Sequence, residues 1–257
     1  MTNLAQAVYV EMLKARRSRV SLFTALGILI LPLAAGFFMI ILKDPELARR
    51  VGLISTKAHL VAGSADWPSY LGLLTQSIAG GGLVLFGLVV IWVFGREFSD
   101  RTAKDLLALP TPRSAVVLSK FVVTAMWCAA LTAVLCLFGF AVGVAIGFPP
   151  ASSQAILQGF LAIVAAALMV IALVTPMGFF ASAGRGYLAP MGTTFLILLL
   201  AQVIAAAGWG EYFPWSIPGV FSQGQLLGAV SYAILLLTSL AGLAATLRWW
   251  ERADQAR

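Results

Sequence analysis

The chain has 257 residues, of which 61% are hydrophobic and only 11% charged, and its formal net charge is +7. A soluble domain carries about 25% charged residues. This chain therefore has too little polar surface to cover a water-facing exterior, and the bilayer is the solvent that tolerates it.

In chain order, residues 3–18 form a candidate amphipathic helix. Leu4, Val8 and Met12 recur at i, i+4 and i+8 with Tyr9 and Leu13 beside them, while Asn3, Lys14 and Arg17 fall on the other side. Such a helix lies in the headgroup plane and leads into a first span. The basic cluster Lys14, Arg16, Arg17 and Arg19 precedes a full-length span without a small-residue cleavage site, so no secretory signal is expected.

The runs 20–42, 67–95, 121–184, 186–210 and 212–247 hold no Asp, Glu, Lys, Arg or His. A spanning helix needs about 20 apolar residues. The run 121–184 is too long for one span and breaks at Phe148-Pro149-Pro150, so it divides in two. Six spans are expected, at 20–42, 71–94, 116–147, 154–180, 188–209 and 225–247, the third emerging into the cytoplasm at its start. Pro32 and Pro176 lie inside spans and should kink them. Gly139, Gly143 and Gly147 form a small-residue stripe on the third span, and Gly80-Gly81-Gly82 sits in the second. Gln76 and Gln202 are the most polar side chains expected to be buried, in packing hydrogen bonds or in contact with a substrate. Cys128 and Cys136 lie about 12 Å apart along one helix, too far for a disulfide.

Orientation follows from Lys and Arg. With both termini cytoplasmic, 13 of the 17 basic residues fall inside, and the four outside (Lys43, Arg49, Arg50, Lys57) all lie in the first loop. Net positive charge is then a topology signal with some affinity for anionic lipid, and it does not point to nucleic acid. In the first external loop, 43–70, Leu47, Val51, Ile54 and Ala58 suggest a short surface helix. The last external segment, Trp209 to Gly224, is dense in aromatics and reads as a headgroup belt.

Spans without ionisable groups disfavour an ion-coupled transporter, which needs such a group at membrane depth. They also disfavour a membrane enzyme, which needs acids, a metal or an activated nucleophile. The one histidine, His59, has no Cys or second His near it, and no metal-binding spacing is present.

The informative stretch joins the second and third spans on the inside, from Arg96, Glu97 and Phe98 to Arg113. Glu97 with Arg101, and Asp100 with Lys104, are acid-first pairs at i, i+4, and Phe98, Thr102, Leu106 and Leu109 line one face. Pro110 and Pro112 end it. A single short helix over this stretch is expected, either docking into a groove on a partner or resting on the membrane surface.

The stretch resembles the loop of type-2 ATP-binding-cassette exporter permeases: an Arg-Glu start, an acid and a Thr, then Lys-x-Leu-Leu-x-x-Pro-x-x-Arg and a further Lys. Arg96, Glu97, Asp100, Thr102, Lys104, Leu106, Leu107, Pro110, Arg113 and Lys120 carry the match. More generic likenesses are the Lys14–Ser18 cluster, Pro32 in the first span, six spans in all, and Phe213-Pro214-Trp215.

The resemblance implies an all-α fold forming one permease domain over residues 1–257 in a bacterial inner membrane. The loop would be a coupling helix, with Arg96, Glu97, Phe98, Asp100, Arg101, Thr102, Lys104, Asp105, Leu106, Leu107, Pro110 and Arg113 docking on a cytoplasmic ATPase. Two ATPase subunits and a second permease, identical or related, would complete the transporter. The second and fifth spans, with Gln76 and Gln202, would line the path. No glycine precedes a lysine anywhere in the chain, so it lacks a phosphate-binding loop; ATP and Mg would be held by the partner, and this chain would bind no cofactor. The resemblance leans toward export of amphipathic or lipophilic compounds, as in bacitracin and lantibiotic resistance. Relatives serving metalloenzyme maturation, an ion-coupled secondary transporter and a polytopic enzyme are the alternatives.

Overall fold

The structure is a computed structural model, and it describes residues 3–43, 64–102 and 111–252. The described residues are mostly helical, with no strand among them. In chain order the helices are α1 (Asn3–Arg16), α2 (Arg19–Lys43), α3 (Trp67–Ser99), α4 (Arg113–Ile146), α5 (Ser153–Leu173), α6 (Thr175–Ala183), α7 (Leu188–Ala206), α8 (Ile217–Ser222) and α9 (Ala229–Arg252). Six segments are long and apolar enough to cross a membrane: α2, α3, α4, α5 with α6, α7 and α9. They coincide with the six expected spans. The surface helix expected around Leu47–Ala58 lies outside the described residues.

The spans are not equivalent. In the most apolar stretch of α3, 67% of residues are buried, against 22–33% in the other spans. The bundle is therefore organised around α3, which packs on α2, α4, α5, α6, α7 and α8. Small residues permit the closest approaches. A Cβ on Gly143 would lie 2.6 Å from the Trp67 ring, and one on Gly159 2.5 Å from Leu71. Gly139 and Gly143 are thus the working part of the expected stripe on α4. Gly147 serves chain reversal instead, since at φ +68° it ends α4 in the left-handed region.

Asp66 opens α3. Its carboxylate accepts the backbone N–H of Ser69 at 2.9 Å and also the Ser64 hydroxyl, and Pro68 occupies the first turn. Partial burial opposes ionisation, but these two serines hold the carboxyl below its usual range.

Pro176 breaks the fourth span, as its position predicts, between α5 and α6. The freed carbonyls are recaptured by neighbours. The Thr175 hydroxyl donates to the Ala172 carbonyl at 2.8 Å, and Trp215 Nε1 donates to the Leu173 carbonyl at 3.1 Å. Trp215 belongs to the segment expected to be an interfacial belt, and only part of that segment behaves so. Trp209 and Tyr212 are exposed, whereas Ile217 of α8 is fully buried and the Ser216 hydroxyl donates to the Ala201 carbonyl at 3.0 Å. The segment thus exposes aromatics at one edge and inserts Ser216 and Ile217 into the bundle at the other.

Both junctions can be probed by substitution. A Cβ on Gly242 of α9 would sit 2.5 Å from the Pro176 backbone nitrogen, where nothing flexible can give way. Gly242→Ala should cost about 1–3 kcal/mol despite its better helix propensity, seen as a lower unfolding temperature of the detergent-purified chain. Asp66→Ala should cost about 1 kcal/mol. Because the folded carboxyl titrates lower than the unfolded one, the wild-type advantage is present at neutral pH and disappears as pH falls through the folded value. The same thermal assay at decreasing pH reads it.

Candidate functional site at the charged end of the bundle

Helices α1, α3 and α4 converge at one end of the bundle, and each brings charge to the same place. Glu97 lies in the last turn of α3. Its Oε1 accepts Lys120 Nζ at 2.9 Å, Lys14 Nζ at 3.1 Å and the Arg96 guanidinium at 3.4 Å. Its Oε2 accepts the Thr102 hydroxyl at 2.7 Å. Glu11 of α1 mirrors it, with one oxygen 2.8 Å from Lys14 Nζ and the other 3.1 Å from Lys120 Nζ. Lys120, about two turns into α4, also donates to the Val93 carbonyl at 3.1 Å. The Arg96 guanidinium rests over the Trp92 ring, 4.6 Å from its centre.

The cluster is buried. Lys120 is 0% exposed, Glu97 3% and Glu11 5%. Burying a charge costs heavily unless it is paired and hydrogen-bonded. Here two carboxylates meet three cations, and each carboxylate contacts all three. Removing one member leaves the others uncompensated, which for a buried pair costs about 3–5 kcal/mol.

Several sequence expectations change here. The spans were expected to be free of ionisable groups; Lys120 lies within the third and is fully enclosed by the protein, against α1 and α3. Helix α1 was expected to lie in the headgroup plane on the face of Leu4, Val8 and Met12, with Lys14 on the opposite side. Leu4 and Tyr9 are exposed, whereas Glu11 and Ala15 turn inward and Lys14 reaches into the cluster.

The single helix expected across residues 96–113 is interrupted. Helix α3 runs through Ser99 and stops at Asp100, and Arg101 adopts φ +59°. The Arg101 N–H bonds the Phe98 carbonyl at 3.2 Å and the Thr102 N–H bonds the Glu97 carbonyl at 2.9 Å, the two closures of a Schellman cap. Glu97 is consequently directed into the bundle, away from an i, i+4 pair with Arg101. The same cap ends α6, where Arg185 has φ +50° and the Gly186 N–H reaches the Ala181 carbonyl at 3.3 Å. An arginine in the left-handed region costs roughly 1–2 kcal/mol relative to glycine.

Of the twelve loop residues assigned to the coupling helix by resemblance, Arg96 and Glu97 are buried, and half-buried Phe98 packs on the chain's own Trp249 and Trp250 at 5.6 and 5.8 Å. Asp100, Arg101 and Thr102 are exposed. Arg113 donates to the Trp250 and Glu251 carbonyls at 3.3 and 3.1 Å, neutralising the end of α9. Lys104, Asp105, Leu106, Leu107 and Pro110 lie outside the described residues. Gln76 and Gln202, expected to be buried, are both exposed on the outside of the described chain. No group of three or more metal-ligating side chains occurs among the described residues.

Glu11 or Lys120 takes part in four of the six ion pairs; the sequence pointed to Lys120 only through the loop resemblance, and to Glu11 not at all. The other signals in the sequence are an acid one turn before Ala15 on a helix otherwise basic at its end, and a lone lysine within the apolar run of α4.

These features define a polytopic, all-α membrane protein whose spans are braced at one end by buried charge. The sequence matches the family described as ABC-2 family transporter protein over residues 7–201, and the chain belongs to that family of transport permeases. It is 25% identical over 177 residues to the bacitracin transport permease protein BCRB of Bacillus licheniformis, a match covering 67% of this chain and 85% of that protein. All five charged residues of the cluster lie within the family match.

The brace predicts a mutational signature. Glu97→Gln and Lys120→Met should each destabilise the purified chain by about 3–5 kcal/mol, and the double variant should lose less than the two together. Thermal or denaturant unfolding of the four proteins forms the cycle; strictly additive losses would contradict the pairing.

Proposed function

We propose that this chain is the membrane-spanning subunit of an ATP-binding-cassette exporter, and that a separate ATPase works it through the segment between α3 and α4. The family membership supports the first part. The charge distribution supports an orientation with α1, the 96–113 segment and the end of α9 in the cytoplasm, where an ATPase would meet them. The working complex would contain two such permeases, identical or related, and two ATPase subunits holding ATP and Mg.

The observation that carries this reading is continuity from the exposed cap to the bundle. Asp100, Arg101 and Thr102 face outward, and Thr102 bonds directly to Glu97. Glu97 joins α3 to α4 and α1 through Lys120 and Lys14. Phe98 and Arg113 add α9. A push on the cap therefore reaches four helices without passing through a flexible joint. In this reading Arg96, Glu97 and Lys120 transmit, while Asp100, Arg101, Lys104, Asp105, Leu106, Leu107 and Pro110 form the contact with the ATPase.

The likeness to a bacitracin permease and the apolar, uncharged middle of the bundle favour an amphipathic or lipophilic substrate, such as a drug, a peptide antibiotic or a lipid. The buried charges do not favour ion coupling: they sit at the helix ends, are mutually satisfied, and no ionisable residue lies deeper in the described spans.

Arg101→Gly separates strain from function. Relieving the left-handed arginine should stabilise the chain by about 1–2 kcal/mol, because such strain persists where function requires the residue. The same variant, co-purified with the ATPase in vesicles, should lower substrate-stimulated ATP hydrolysis by roughly threefold to thirtyfold. Stabilisation with unchanged stimulation would remove Arg101 from the contact, and ATP-independent transport by the chain alone would remove the reading altogether.

A further inference from the structure

Buried threonines in this bundle follow one habit. Thr24, Thr75, Thr132, Thr194 and Thr246 each donate to the carbonyl four residues earlier, at 2.8–2.9 Å. Thr124 of α4 departs from it. It is 3% exposed, and its hydroxyl has no partner. A buried hydroxyl without a partner is costly and rare, so something should accept it.

Thr124 lines a crevice of about 250 Å³ between α3, α4, α5 and α9, beside the break at Pro176. Val90, Phe121, Ala125, Leu168 and Leu243 make its other walls apolar. Thr175 also lines it, but its hydroxyl is held by the Ala172 and Ser239 carbonyls. A trapped water needs two to four polar partners, and this wall offers one unengaged group.

The crevice opens outward at Leu168, which is 59% exposed and continues the exposed row Leu157, Leu161 and Val164 of α5. That row is apolar and uncovered in the single chain, so a lipid can reach it. Thr124 lies one turn, about 6 Å, beyond Lys120 toward the middle of the bundle. Lys120 is the last charged residue of α4, so Thr124 sits in the first turn of the uncharged run 121–184. An occupant with one hydrogen-bond acceptor at this level and an otherwise apolar body fits both walls and position.

We propose that the crevice holds one acyl chain of a bilayer diacylglycerolipid, with an ester carbonyl of that lipid accepting the Thr124 hydroxyl. The site lies apart from the exposed cap and does not depend on the ATPase reading.

The test uses the full chain, purified and reconstituted with either diacyl phosphatidylglycerol or its diether analogue, which lacks the ester carbonyls. Retained lipid is counted by native mass spectrometry after detergent exchange. The wild type should keep one diester lipid per chain. The diether lipid, or the isosteric Thr124→Val variant with the diester lipid, should be kept roughly threefold to tenfold less, the worth of one hydrogen bond. Thr124→Ser should retain wild-type behaviour, and a diazirine on the acyl chain should label the α5 peptide containing Leu168. Equal retention of diester and diether lipid, wild-type retention by Thr124→Val, labelling elsewhere, or a crevice that keeps only water would each overturn the proposal. Thr124→Val should keep the wild-type unfolding temperature in lipid-stripped detergent, so reduced retention is not loss of fold.

Discussion

The position of Glu97 depends on one constraint: a carboxylate enclosed in protein must be matched by cations that are enclosed with it. Lys120 and Lys14 meet that requirement from two other helices, at 2.9 and 3.1 Å. Because Lys120 in turn needs Glu11, the amphipathic α1 is drawn against α4 rather than left to lie on the bilayer by its apolar face alone. Three elements far apart in sequence are thereby fixed to one another by a few ångströms of geometry. Non-directional apolar contacts between spans cannot supply this, since lipid tails satisfy an apolar surface as well as another helix does.

The same end of the bundle stores strain in two arginines. Arg101 and Arg185 each occupy the left-handed position that ends a helix, where glycine would be easier. Both caps face the side where α3 and α6 end, and Tyr187, directly after the second cap, packs against Gly95 of α3. These helix ends carry exposed, strained and charged tips. They suit a surface on which another protein exerts force.

Much of this was legible in the sequence. Long uncharged runs located all six spans, because a bilayer allows no alternative to a continuous apolar helix. Pro176 announced its break, and the Arg96–Arg113 stretch announced itself by its density of charge. What was hidden depended on distant partners. Glu97 looked like the first half of a local pair with Arg101, but a Schellman cap closed by a non-glycine residue leaves no mark in the sequence. Lys120 looked like a residue at the water's edge because nothing nearby in sequence explains its burial; Glu11 does, from 109 positions away. Gln76 and Gln202 looked buried because they are polar residues in apolar runs, yet both face outward. Their surroundings depend on whatever covers α3 and α7 in the membrane.

The central claim is that the brace, together with Phe98 and Arg113, makes the ends of α3, α4 and α9 a single block that moves as one. Spin labels at Asp100 and Glu251, both exposed, measure the block directly in vesicles that also contain the ATPase. The account predicts that the distance between these labels within one chain stays constant on adding ATP, while the corresponding distance between the two permeases of the proposed complex changes. A change within the chain, with the distance between permeases unaltered, would contradict it.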